Sequence, residues 1–204
     1  NCSRDTSESN YLCIECFKDI DLSPGWTLIQ SKKVYYSCHY ENIIRSLLIN
    51  YKYNHNVNYS LLFANLTIQT INYFKLTPLY ITFIPSNKIR YIKKGFNHNL
   101  VICSLIAKKL NIRLIPNFFI KTKYTKPQSS LPKSKRQSNL TKSFAINKKY
   151  QTLDFKQLII FDDIATTGST FKVISKLLKT YQTDYYYICL AANTRLTLTS
   201  NHPG

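Results

Sequence analysis

Apolar positions along this chain follow two spacings, every second residue or every third to fourth, and the two alternate in blocks. Val34 to Cys38 is a short aromatic and β-branched run that predicts a strand. A helix follows from about Glu41 to Tyr53, with Ile43, Ile44, Leu47 and Leu48 on one face, and a second covers Tyr59 to Phe74. Leu79 to Ile84, stopped by Pro85, has the continuous apolar character of a buried parallel strand. The helical period returns from about Asn97 to Leu110, with Leu100, Cys103, Ile106 and Leu110 facing inward. Phe118 to Lys123 predicts another strand, and a long hydrophilic stretch then runs to about Lys149. The chain ends its pattern with a strand at Leu158 to Phe161, a helix at Ser169 to Leu178 and a strand at Tyr185 to Ala191. Strands alternating with helices predict an α/β fold: an open, mainly parallel sheet with helices on both faces. Ligands of such sheets bind at the carboxyl ends of the strands, so the ends near Ile84 and Phe161 should share one crevice.

Residues 1 to 32 depart from this pattern, being polar and holding Cys2 and the pair Cys13 and Cys16. Ser23-Pro24-Gly25 marks a turn, and we expect a small N-terminal segment over 1–32 and one larger domain over 33–204. At 204 residues and 44% hydrophobic content the chain can bury a real core. No apolar run is long enough to span a membrane and no signal-peptide pattern opens the chain, so a cytoplasmic protein is expected. Methionine is absent, so Asn1 is not expected to be the native start.

The formal net charge is +18, and it is unevenly placed: no Asp or Glu occurs between Glu41 and Asp154. A half-chain of Lys and Arg without carboxylates favours polyanions, either diphosphates or nucleic acid. Its many Tyr and Phe residues make single-stranded DNA a candidate partner, by charge and base stacking. The six cysteines are not expected to form three disulfides. Cys103 and Cys189 fall in apolar periodic segments, where a free thiol packs as a small hydrophobe.

Chemistry concentrates at residues 157–170, an apolar strand followed by Asp162-Asp163-Ile164-Ala165-Thr166-Thr167-Gly168-Ser169-Thr170. Two carboxylates at a strand end can accept hydrogen bonds from both hydroxyls of a ribose. The loop from Ala165 to Thr170 offers backbone N–H groups and hydroxyls to a 5'-phosphate, with a helix N-terminus behind it and Gly168 for close approach. A capping motif would account for one acidic residue there, but not for the pair. A second segment, from Ile84 through Lys88, Arg90, Lys93 and Lys94 to Gly95, sets a basic loop after a strand and suits a diphosphate. A third, polar stretch contains Lys126, Gln128, Lys135 and Arg136 and reads as a lid that closes over an anionic substrate. His55 and His98 fit surface or hydrogen-bonding roles better than acid–base work.

The 162–170 string resembles the signature of the type I phosphoribosyltransferases, which bind 5-phosphoribosyl 1-diphosphate (PRPP). With Lys94-Gly95-Phe96-Asn97-His98 and with Thr125, Pro127, Gln128, Leu131, Arg136, Asn139 and Phe144, the chain resembles the ComF family over roughly residues 33 to 195. Where that family has arginine and glutamine, this chain has Lys94 and His98. The resemblance implies a competence protein acting in DNA uptake and natural transformation alongside other competence-machinery proteins. The alternative it leaves open is a salvage enzyme displacing diphosphate from C1 of PRPP with a nitrogenous base. It implies Asp162 and Asp163 as catalytic and ribose-binding groups, and Ala165, Thr166, Thr167, Gly168, Ser169 and Thr170 around the 5'-phosphate. Ser86, Lys93 and Lys94 would meet the diphosphate, with magnesium accompanying PRPP. Cys2, Cys13 and Cys16 offer three thiolates for zinc, the fourth ligand being a cysteine before Asn1 or else Cys38 or His39.

Overall fold

The computed structural model describes residues 18, 20, 22–29, 31–53, 57–85, 97–122, 143–150, 156–179, 181 and 184–193. Its elements in chain order are β1 (Gly25–Ile29), β2 (Lys32–His39), α1 (Asn42–Tyr53), α2 (Tyr59–Tyr73), β3 (Tyr80–Phe83) and α3 (His98–Leu110). There follow β4 (Arg113–Leu114), β5 (Phe119–Lys121), β6 (Phe144–Ile146), β7 (Leu158–Ala165), α4 (Ser169–Leu178) and β8 (Tyr185–Ala192). Among the described residues the main sheet has the order β1-β2-β8-β7-β3-β4, parallel throughout except for the antiparallel edge strand β1.

β7 and β8 lie at the centre because their side chains are apolar on both faces. Ile159, Phe161, Ile188 and Leu190 pack on one side with residues of α1, α2 and α3, such as Leu48, Phe63 and Ile102. Leu158, Ile160, Tyr187 and Cys189 pack on the other with Phe171, Ile174 and Leu178 of α4. Helices therefore cover both faces, as the alternating pattern predicts, and no polar stripe is needed on the central strands. Cys38, Cys103 and Cys189 are buried thiols that form no disulfide. Burial, and then the nearby charge of Asp162, holds the Cys103 and Cys189 thiols well above their usual pKa, so both act as inert packing groups.

α3 shows how local chemistry sets an element's ends. Asn97 caps it, its side chain accepting the Leu100 N–H at 3.2 Å. At the other end Asn111 adopts the left-handed conformation with φ 53°, and Lys108 and Lys109 occupy the last turn, where cations favour the helix dipole.

Three features differ from the pattern-based expectation. Gly25–Ile29, which falls in the polar N-terminal segment, is an edge strand hydrogen-bonded to β2, so the hairpin crosses the expected boundary at 32/33. The Phe118 strand does not join the main sheet; it pairs antiparallel with β6, inside the stretch read as hydrophilic to Lys149. Phe144 and Ile146 are buried there with Phe118 and Phe119, an apolar contribution of two residues too brief to register as a period. The central strand also runs past Phe161 to Ala165, which places Asp162 and Asp163 within the ladder.

Candidate functional site

The carboxyl end of β3 lies beside the middle of β7, with Phe83 opposite Phe161 and the Ile84 N–H donating to the Phe161 carbonyl at 2.9 Å, and β7 runs on four residues beyond it. The start of α3 is tied to the same place: the buried Asn99 donates its Nδ2 to the Ile84 carbonyl at 3.3 Å. The positions near Ile84 and Phe161 that the sequence assigns to one crevice are therefore brought together.

β7 leads into the loop 166–168 and α4. Thr166 and Thr167 are exposed, Ser169 and Thr170 partly so, and Ala165 and Gly168 are buried. The Ala165 carbonyl accepts the Asn193 N–H at 2.9 Å, holding the loop's entry against the end of β8. Thr167 Oγ1 donates to Ser169 Oγ at 3.0 Å and accepts the Ser169 N–H at 3.4 Å, so these two hydroxyls organise each other. Gly168 precedes α4 with φ 65° and provides no side-chain cap. A Cβ there would collide with the Ile29 side chain. Glycine is required by this left-handed turn and by Ile29 pressed beneath it, a reason that the string alone does not contain.

The acid pair is not symmetric. Asp163 follows Ile159 and Phe161 at the strand period, onto the face covered by α1 and α3. There its Oδ2 lies 2.6 Å from Lys52 Nζ and 3.0 Å from His98 Nε2. A carboxylate only accepts, so His98 Nε2 carries the proton in that bond. Side-chain exposure is 17% for Lys52, 13% for His98 and 12% for Asp163, so the cluster is largely withdrawn from water. Burial alone would raise the Asp163 pKa, but the Lys52 ammonium, and after it His98, outweigh burial and hold this carboxyl below the usual range.

Asp162 is partly exposed, and its Oδ1 accepts the backbone N–H of Asp163 at 2.9 Å. Its pKa is pushed up, first by burial and then by the negative charge of Asp163; Lys52, the Asp163 N–H and Asn99 pull back only part of the shift. The surroundings therefore favour the charged form at Asp163 and resist it at Asp162.

Lys52 is the residue that the sequence reading misses. Its signal was present: Ile44, Leu48 and Lys52 recur every four residues, and Ile44, Leu47, Leu48 and Tyr51 are the buried face of α1. A lysine in that stripe calls for a buried anion. His98 takes the hydrogen-bonding role expected of it. Its carbonyl also accepts the Tyr51 hydroxyl at 2.9 Å, which couples the end of α1 to the start of α3.

The diphosphate candidates Ser86, Lys93 and Lys94, the lid candidates Lys126, Gln128, Lys135 and Arg136, and the thiolates Cys2, Cys13 and Cys16 lie outside the described residues. β5 and β6 nevertheless bring Lys121 and Phe144 opposite one another, so the segment holding the lid candidates connects two paired strands. Cys38, a possible fourth zinc ligand, is fully buried, and its Sγ donates to the Leu190 carbonyl at 3.2 Å. Among the described residues no three His, Cys, Asp or Glu side chains are grouped to hold a metal ion. Among them, too, no helix is long and apolar enough to cross a membrane.

No protein-family model matches the chain. Among solved structures it is similar to an adenine phosphoribosyltransferase at 14% identity, with 92% of this chain and 96% of that one covered and a TM-score of 0.46. It is also similar to a hypoxanthine phosphoribosyltransferase from Staphylococcus aureus, at 16% identity over 72% of this chain and 70% of that one, with a TM-score of 0.41. Among curated proteins, "DNA utilization protein YhgH" of Escherichia coli is 30% identical over 101 residues, 50% of this chain and 43% of that protein. "Competence protein F" of Haemophilus influenzae is 25% identical over 183 residues, 87% of this chain and 78% of that protein. The chain is a homologue of Competence protein F over most of its length and of YhgH over half of it.

Proposed function

We propose that this chain is a competence protein acting in DNA uptake and natural transformation, with a PRPP site at the carboxyl ends of β3 and β7. The observation that carries the reading is the junction of β7 and α4: an acid pair within the last four residues of a central parallel strand, followed by a hydroxyl-bearing loop that turns through Gly168 into a helix. Anions are favoured where α4 begins, because first-turn N–H groups lack intrahelical partners and the helix dipole is positive there. Thr166, Thr167, Gly168, Ser169 and Thr170 surround the 5'-phosphate in this reading, and the acid pair serves the ribose. Ser86, Lys93 and Lys94 supply the diphosphate side, and Lys126, Gln128, Lys135 and Arg136 the covering segment.

Magnesium typically binds through one or two carboxylates, several waters and substrate phosphates, and the partly exposed Asp162 suits that donor set. The ion would neutralise the diphosphate oxygens when it arrives with the ligand. Zinc at Cys2, Cys13 and Cys16 suits their soft thiolate chemistry and is tested by elemental analysis of the purified protein.

The deciding experiment is calorimetry of PRPP with magnesium, and of a short single-stranded oligonucleotide, against the same preparation. We expect PRPP to bind, and the double change Asp162→Ala and Asp163→Ala to abolish binding. Absence of PRPP binding by the wild type would overturn the reading. Diphosphate release on adding a free base would move the assignment to the salvage enzyme.

A further inference from the structure

We propose that Lys52 and His98 are positioning residues of the phosphoribosyl site: they clamp Asp163 so that Asp162 is the carboxyl that meets the ligand. The inference rests on the PRPP reading above, and it assigns roles that the sequence motif leaves equal. Lys52 comes from the end of α1 and His98 from the first turn of α3, yet both converge on the same oxygen, Oδ2 of Asp163. Two donors on one withdrawn oxygen leave little of it for a ribose hydroxyl.

Asp163 in turn acts on its neighbour. Its backbone N–H holds Asp162 Oδ1 at 2.9 Å, while Asp162 keeps access to solvent. The clamp therefore fixes the strand end that orients Asp162, and it supplies the positive charge that two adjacent carboxyls need. The Tyr51 hydroxyl on the His98 carbonyl links the two helices beside it, so the helix ends that carry both donors are tied together. Without Lys52 the two acids would compete for a single counter-charge, and the geometry at Asp162 would lose its support.

Calorimetry of PRPP with magnesium against four full-length variants tests this, each first checked by circular dichroism. Lys52→Met and His98→Leu should weaken binding about tenfold or more, as loss of a partner behind a binding group does elsewhere. Lys52→Arg and His98→Gln, which keep a donor at Asp163, should retain most of the affinity. Wild-type protein that binds PRPP while Lys52→Met and His98→Leu bind within roughly twofold of it would overturn the clamp and leave the PRPP reading standing. Tighter binding by Lys52→Met would also overturn it, since Asp163 would then be a ligand group that Lys52 blocks. No binding by the wild type would overturn both. Should Lys52→Met not fold, the contrast between His98→Leu and His98→Gln decides alone.

Discussion

Replacing Gly168 with alanine tests the turn on which the site depends, and the cost has two separable parts. The residue sits at φ +65°, where an L-residue pays about 1–2 kcal/mol for the left-handed backbone. The added methyl also meets Ile29, with Cγ1 at 3.0 Å, Cγ2 at 3.1 Å and Cδ1 closer still. Ile29 is 4% exposed and packed in the core on the α4 side of the sheet, so it has no open direction in which to yield. Overpacking by one methyl costs about 1–3 kcal/mol, so Gly168→Ala should destabilise the fold by about 2–5 kcal/mol in all. Urea denaturation followed by circular dichroism reads this as a lower midpoint at unchanged slope. In an Ile29→Ala background the steric part is gone, and the same change should cost only about 1–2 kcal/mol. A loss below about 0.5 kcal/mol in the wild-type background would refute the backbone part, and an equal loss in both backgrounds would refute the contact with Ile29.

The charge cluster and the surface yield three more expectations. Lys52→Met leaves a mostly buried carboxylate without its cation and should cost about 3 kcal/mol, with Lys52→Arg costing clearly less; thermal melting that ranks the two equally would argue against the ion pair. The two acids have opposite pH signatures. Asp163, held low, contributes stability above its unfolded pKa of about 3.9 and loses it as pH falls through that value toward the lower folded one. Asp162, held high by burial and by Asp163 against Lys52 and Asn99, with the Cys103 and Cys189 thiols also nearby, contributes stability below about 3.9 and loses it as pH rises toward its raised folded value. Asp162→Asn should therefore gain melting temperature over the wild type as pH rises from about 5 to about 8, and a constant difference would refute the raised pKa. Binding of single-stranded DNA by the acid-free half of the chain should weaken steeply between low and moderate salt, and a flat response in fluorescence anisotropy would exclude charge as its cause.

How much of this was legible before folding depended on the range of the physical signal. Helix α4 appears in the sequence with its observed ends, and α1, α2, α3, β3 and β8 within a residue or two, because period and capping act over a few neighbouring residues. The motif at 162–170 was readable for the same reason, since its carboxylates, hydroxyls and glycine are contiguous. β6 was not, because three residues carry no measurable period and Phe144 and Ile146 find their partners only by pairing with β5. β1 was hidden in a polar context and exists as the edge neighbour of β2.

The sequence by itself determined the α/β class and the parallel core strands, and it set the acid pair and the hydroxyl-bearing loop in one contiguous string. Only the tertiary structure decided which acid of the pair meets Lys52 and His98. Lys52 and Asp163 are separated by 110 intervening residues yet stand 2.6 Å apart, and that meeting depends on how α1 and α3 dock on the sheet. Electrostatic coupling falls off with distance in space and not along the chain, so two aspartates alike in the string become unlike groups in the fold.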